Sequence, residues 1–96
     1  MPSNNFKDKV TVITGGGSGI GEAISKHFSD QGAKIIILDS NQSEGQRVAQ
    51  QINADFIHCD ISETKSVDNA FNQIESTHGS INILINNAGI AHIGKI

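Results

Sequence analysis

The sequence predicts an α/β fold, a three-layer, doubly wound parallel sheet with strand order 3-2-1-4. Three observations carry that expectation. Four apolar runs of strand length recur along the 96 residues, three segments with helical apolar spacing separate them, and a glycine cluster joins the first run to the first helix. Runs such as Ile35, Ile36, Ile37 and Leu38 lack polar alternation, which suits buried strands covered by helices on both faces. Strands separated by one helix each run parallel, and their right-handed crossovers build an open sheet. In a doubly wound sheet the winding reverses beside the first strand, and ligands bind at the carboxyl ends of the strands at that reversal.

Val10 to Ile13 is the expected first strand, and Thr14 to Gly21 (TGGGSGIG) follows it directly. The first helix carries Ile20, Ala23, Ile24 and Phe28 at three- and four-residue steps as its apolar face, and Gly32 is a natural stop. Ile35 to Leu38 forms the second strand and ends in Asp39. A polar loop, Ser40 to Gln42, leads into a shorter helix from about Ser43 to Ile52, with Val48, Ala49 and Ile52 on one side. Phe56 to Cys59 is the third strand, followed by Asp60 and Ile61. The third helix has Ser62 as its expected N-cap, Val67, Ala70, Phe71 and Ile74 as its apolar face, and Gly79 as its close. Ile81 to Ile85 is the fourth strand, and Asn86, Asn87, Ala88 and Gly89 end it.

Size and composition narrow the function classes. Ninety-six residues suffice for one small domain, which buries roughly 60 to 65% of the surface its unfolded chain exposes. With 36% hydrophobic residues, one proline and no low-complexity run, the composition is that of a soluble globular chain. The net charge of −3 and scattered lysines offer no basic stripe for a phosphodiester backbone, so nucleic acid is excluded as a partner. No apolar run approaches the ~18 residues needed to cross a bilayer, so no membrane span is expected. Cys59 has no partner for an internal disulfide, and the polar start of the chain lacks the regions of a signal peptide. A reduced, cytoplasmic setting is expected. The four histidines, His27, His58, His78 and His92, show no metal-ligand spacing, and no metal site is predicted. His27 borders the apolar side of its helix and suits packing or surface; His92, past the fourth strand, is a candidate substrate contact.

The glycine run supplies the chemistry. A helix start leaves backbone N–H groups without intrahelical partners and carries partial positive charge, so a phosphate satisfies both. Glycines at such a turn also serve purely steric ends, and both readings stand for the turn by itself. Asp39, 24 positions after Gly15, favours the ligand. A carboxylate at the end of strand two accepts the hydroxyl hydrogens of an adenosine ribose and repels a 2′-phosphate. At ~4 Å and an effective dielectric near 20, like unit charges interact by at most roughly 4 kcal/mol. With no lysine or arginine at Gly16 to Ser18 or Ser40 to Gln42, NAD is expected over NADP. Gly16 and Gly21 have the spacing of a triphosphatase phosphate loop, but Glu22 and Ala23 replace the required lysine and hydroxyl residue. Asp60 suits either an adenine contact, with Ile61, or an aspartate at a helix start. Asn86 suits a structural amide at least as well as a ligand contact.

Thr14 to Gly21, Asp39, Asp60 and NNAG at Asn86 to Gly89 together closely resemble the amino-terminal half of the short-chain dehydrogenase/reductase family, over nearly the whole chain. The resemblance implies an NAD-dependent oxidoreductase that moves hydride between nicotinamide and a carbonyl or alcohol substrate. It implies a Rossmann-type domain, with residues 1–96 as its amino-terminal part and the remainder absent from this sequence. By the same resemblance Gly15, Ser18, Gly19 and Ile20 contact pyrophosphate and ribose, Asp39 the adenosine ribose, Asp60 and Ile61 the adenine, and Asn87 and Gly89 lie beside the cofactor. The family's serine and its Tyr-x-x-x-Lys pair lie farther along than residue 96, and the chain has no tyrosine. No catalytic residue is therefore assigned, and these residues alone are expected to be inactive. The fourth strand, with Ile81, Ile83, Leu84 and Ile85, is expected to form an uncovered edge, as in an incomplete sheet. A homo-oligomer, dimer or tetramer, follows from the resemblance alone. Two other readings keep the cradle: a non-catalytic nucleotide-sensing module, and an adenosylmethionine-dependent methyltransferase, whose ligand has no pyrophosphate for the glycines to meet.

Overall fold

The computed structural model describes residues 5–87. Strand β1 (Val10–Thr14) leads to α1 (Gly19–Asp30), β2 (Lys34–Asp39), α2 (Gln42–Ile52), β3 (Asp55–His58), α3 (Thr64–His78) and β4 (Ile83–Asn86). All four strands are parallel and lie in the order β3-β2-β1-β4. The register sets Thr11 beside Ile35 and Ile83, and Leu38 beside Ile57. This is the doubly wound order expected from the sequence.

Side-chain alternation splits the core into two halves. Val10, Val12, Ile36 and Leu38 pack with Cys59, Ile61, Val67, Ala70 and Ile74, the face covered by α3. Ile13, Ile35 and Ile37 pack with Val48 and Ala49 of α2, joined by the partly buried Ile24 and Phe28 of α1. Strands β1 and β2 are therefore buried on both faces, apart from Lys34 at the start of β2. The outer strands β3 and β4 are only half buried, each paired on one side among the described residues; β3 is less buried than its apolar run implies, whereas β4 lies at the edge as expected.

The ends of the helices show how sequence sets their length. Gly32 follows α1 at φ 90°, and the N–H groups of Gly32 and Ala33 donate to the carbonyls of Ser29 and Phe28, which closes the last turn. Asn41 caps α2: its Oδ1 accepts from the Glu44 N–H at 3.1 Å. Ser62 does not cap α3, contrary to expectation. Its N–H and hydroxyl both donate to Asp60 Oδ1, at 3.0 and 2.6 Å, and the helix begins one residue later, with Glu63 at the N-cap. The local aspartate wins the serine before the helix can use it. The apolar face of α1 also differs. Ile20 is 72% exposed and Ala23 is exposed, whereas Gly21 and Ser25 are the buried positions. The helix lies too close to the strands for larger side chains on that face. His27 is exposed, its ring edge-on to Phe28. No helix among the described residues is long and apolar enough to cross a membrane.

Candidate functional site

The carboxyl ends of β1, β2 and β4 converge on the glycine turn. Gly15 leaves β1 at φ 67°, a conformation costly for a side-chain-bearing residue, and its N–H donates to the Leu38 carbonyl at 2.7 Å. Three further glycines are explained by what surrounds them. A Cβ on Gly16 would stand 2.8 Å from Ile37 Cγ2, one on Gly17 2.8 Å from both Asp39 Oδ2 and the Gly45 nitrogen, and one on Gly21 2.0 Å from the Gly15 carbonyl oxygen. Gly19 is different. A Cβ there would meet nothing within 4 Å, and its φ is not positive. No contact among the described residues accounts for a glycine at the first residue of α1, where an approaching ligand would need open space.

Ser18 stands at the N-cap of α1 yet does not cap it. Its hydroxyl donates instead to the Gly15 carbonyl at 2.8 Å, so no side chain occupies the helix start. An anion is the natural partner of N–H groups left in this state. Asn87 holds the turn from the other side, donating from Nδ2 to the Gly15 carbonyl at 3.1 Å and to Ser18 Oγ at 3.3 Å. Asn86 takes the structural role, accepting from the Thr14 hydroxyl at 3.0 Å.

Asp39 is buried, and each of its oxygens already accepts one backbone N–H at 2.9 Å: Oδ2 from Gly17, Oδ1 from Asn41. It thereby staples the glycine turn to the start of α2. Each carboxylate oxygen retains room for another donor. Asp60 is exposed at the end of β3, and the hydrogen bonds from Ser62 hold its carboxyl below the usual aspartate range. That turn is the helix-start role weighed for it. Ile61 points into the core under α3, so only its backbone is available to a ligand. Gly89 and His92 lie outside the described residues.

A cleft of about 400 Å³ opens beside Asp39, lined by Gly17, Ser18, Gly19, Glu22, Asn41, Glu44 and Arg47. Sequence reasoning missed Arg47, having sought a cation only in the adjoining loops. Arg47 reaches the cleft from the second turn of α2, where its Nη2 lies 2.8 Å from Glu44 Oε1 and 3.0 Å from Glu22 Oε1. The one signal in the sequence was the three-residue step from Glu44 to Arg47. Glu22 also meets Lys26 at 3.0 Å, and the hydrogen bonds from Arg47 and Lys26 bring its pKa down to about 2. A second cleft, of about 410 Å³, lies by the amino-terminal ends of β2 and β3, where His78 pairs with Asp55 at 2.7 Å. It borders the Gly32 turn at the end of α1 and has no helix start. Among the described residues no group of three or more histidine, cysteine or acidic side chains is placed to hold a metal ion.

Residues 9–96 match the short chain dehydrogenase family. A borneol dehydrogenase, described as mitochondrial, from Lavandula x intermedia is 40% identical over 90 residues, which cover 94% of this chain and 35% of that protein. Secoisolariciresinol dehydrogenase from Forsythia intermedia is 41% identical over 92 residues, covering 93% and 33%. The crystal structure of a 3-ketoacyl-(acyl-carrier-protein) reductase from Brucella melitensis complexed with NADH superposes with a TM-score of 0.78 at 40% identity, over 81% of this chain and 33% of that one. The chain thus spans about a third of the length of the relatives it matches.

Proposed function

The chain belongs to the short-chain dehydrogenase family, and on that footing we propose that it is the cofactor-holding part of an NAD-dependent oxidoreductase acting on a carbonyl or alcohol substrate. Residues 1–96 form the amino-terminal part of one NAD-binding domain. The observation that carries this reading is the start of α1, where Gly19 faces open space and Ser18 leaves the N–H groups uncapped. A pyrophosphate meets Gly15, Ser18, Gly19 and Ile20 there, and the exposure of Ile20 suits a side chain that a ligand covers. Asp39 accepts from the adenosine ribose with the lone pairs its two backbone donors leave free, Asp60 and the Ile61 backbone border the adenine, and Asn87 and Gly89 are assigned to the cofactor without a more specific contact. Bound there, the nicotinamide supplies the hydride chemistry, while these residues bind and orient it.

The groups that move the substrate proton, a serine and a Tyr-x-x-x-Lys pair, are proposed to lie outside these residues, so that the 96 residues alone bind cofactor without turnover. The full protein is proposed to be cytoplasmic and to assemble as a homo-oligomer. Family membership leaves the methyltransferase reading without support. Calorimetry on the full-length protein with NAD, NADP and adenosylmethionine tests the reading: tighter binding of NAD is expected, and equal or tighter binding of NADP overturns the role given to Asp39.

A further inference from the structure

The cleft beside Asp39 holds more charge than one carboxylate. Glu22 stands in the first turn of α1 and Glu44 in the first turn of α2. The two helix starts meet closely because Gly17 lies against the backbone that begins α2: a Cβ on Gly17 would stand 2.8 Å from the Gly45 nitrogen and 2.9 Å from the Glu44 carbonyl carbon. That approach lets Arg47 bridge the helices. Its guanidinium makes four hydrogen bonds, from Nε and Nη2 to Glu44 Oε1 at 3.2 and 2.8 Å, and from Nη1 and Nη2 to Glu22 at 3.4 and 3.0 Å.

We infer that this Glu22–Arg47–Glu44 clamp determines which dinucleotide the cleft accepts, by keeping the cation on its rim engaged and unable to receive a 2′-phosphate. The inference rests on the cofactor reading above and adds residues to it. Three carboxylates and one guanidinium line the cleft, and with Lys26 paired to Glu22 the balance is still one negative charge. The same guanidinium, released from the two glutamates, has the planar donor fork that suits a phosphate. Glu22, Glu44 and Arg47 are all partly exposed, so their pairs add little to the stability of the fold. Their effect falls on the ligand instead. Asp39 differs, since both of its oxygens are tied to backbone and it cannot move without opening the glycine turn.

The test measures the affinities of the full-length protein for NAD and NADP by calorimetry at low salt, in wild type, E44Q, E22Q/E44Q and E22Q/E44Q/R47Q. In the wild type NAD binds at least tenfold more tightly than NADP. The double variant shifts that ratio toward NADP by tenfold or more, E44Q alone by at least threefold, and the triple variant loses the gain. Raising the salt shrinks the shift, as charge pairing requires. Circular dichroism monitors folding, and E44Q, an exposed change, carries the test should the double variant unfold. A ratio that stays within twofold of wild type in a variant that still binds NAD overturns the clamp and spares the cofactor reading. A gain that survives in the triple variant also overturns it, since the gain is then not owed to Arg47. Failure of the wild type to bind either dinucleotide, or its preference for NADP, overturns the cofactor reading and the clamp with it.

Discussion

Gly19 and Gly21 stand two residues apart in the first turn of α1, and alanine is expected to act on them in opposite directions. At Gly21 the new methyl would lie 2.0 Å from the Gly15 carbonyl oxygen and 2.6 Å from Asn87 Nδ2. Carbon contacts settle near ~3.5 Å, so the turn and the helix must separate by more than about 1 Å. The obstacle is backbone, which yields less readily than a side chain, so the cost falls near the upper end of the overpacking range, about 3 kcal/mol. At Gly19 the methyl meets nothing and φ permits it, so Gly19→Ala leaves the folded state unstrained and restricts the unfolded chain, a gain of about 0.4–1 kcal/mol. The two variants should therefore differ by about 4 kcal/mol in urea unfolding followed by circular dichroism. Binding should not follow stability. The Gly19 methyl projects where a pyrophosphate approaches, and NAD affinity is expected to fall at least ~10-fold, about 1.4 kcal/mol, in this more stable variant. If Gly19→Ala binds NAD as the wild type does, or unfolds as readily as Gly21→Ala, the assignment of the open space to a ligand is wrong.

Asp39→Ala removes the acceptor of the Gly17 and Asn41 N–H groups, and two backbone donors left unpaired should cost about 2–4 kcal/mol together with most NAD affinity, both measurable on one preparation. Ile74 is fully buried under the sheet, and Ile74→Ala should lower stability by about 2–5 kcal/mol in urea unfolding without altering the NAD-to-NADP preference. Glu22 has its pKa lowered from 4.5 to about 2, first by the hydrogen bond from Arg47 and then by that from Lys26. A carboxyl that binds its proton less readily when folded contributes its full stabilisation above pH 4.5 and loses it as the pH falls toward 2. Carbon-13 titration of the Glu22 carboxyl should therefore show no protonation at pH 4, and a midpoint near 4.5 would mean that the clamp does not form in solution.

Much of this arrangement is legible in the sequence alone. The unbroken apolar runs of β1 and β2 announced strands buried on both faces, and the single-helix spacing between runs fixed their parallel order. Asp39 is legible as the strand-end acid because it follows at once on the last apolar residue of β2. Three features escaped. Ile20 and Ala23 fit the helical apolar pattern, but burial in α1 is governed by distance from the strands, and only Gly21 and Ser25 fit there. Ser62 looked like a cap until Asp60, two residues earlier, took both of its donors. Arg47 enters the cleft because Gly17 lets the backbone that begins α2 approach, a contact between residues nearly thirty positions apart that local spacing cannot reveal.

The ties from Asn87 to Gly15 and from Asn86 to Thr14 each join residues 72 positions apart. The glycine turn lies early in the chain, yet two of its ties come from residues 86 and 87, which reach it only where α3 carries the chain across to dock β4 against β1. Closing so long a loop carries an entropic cost that contacts nearer in sequence do not face. The β1–α1–β2 unit already ties its turn through the Gly15 N–H to Leu38 and the Gly17 N–H to Asp39, and lacks only the two ties from the far strand. On the proposed reading of the turn as a phosphate cradle, its full set of braces is in place only when β4 is docked, so that removing either asparagine tie is expected to weaken cofactor binding.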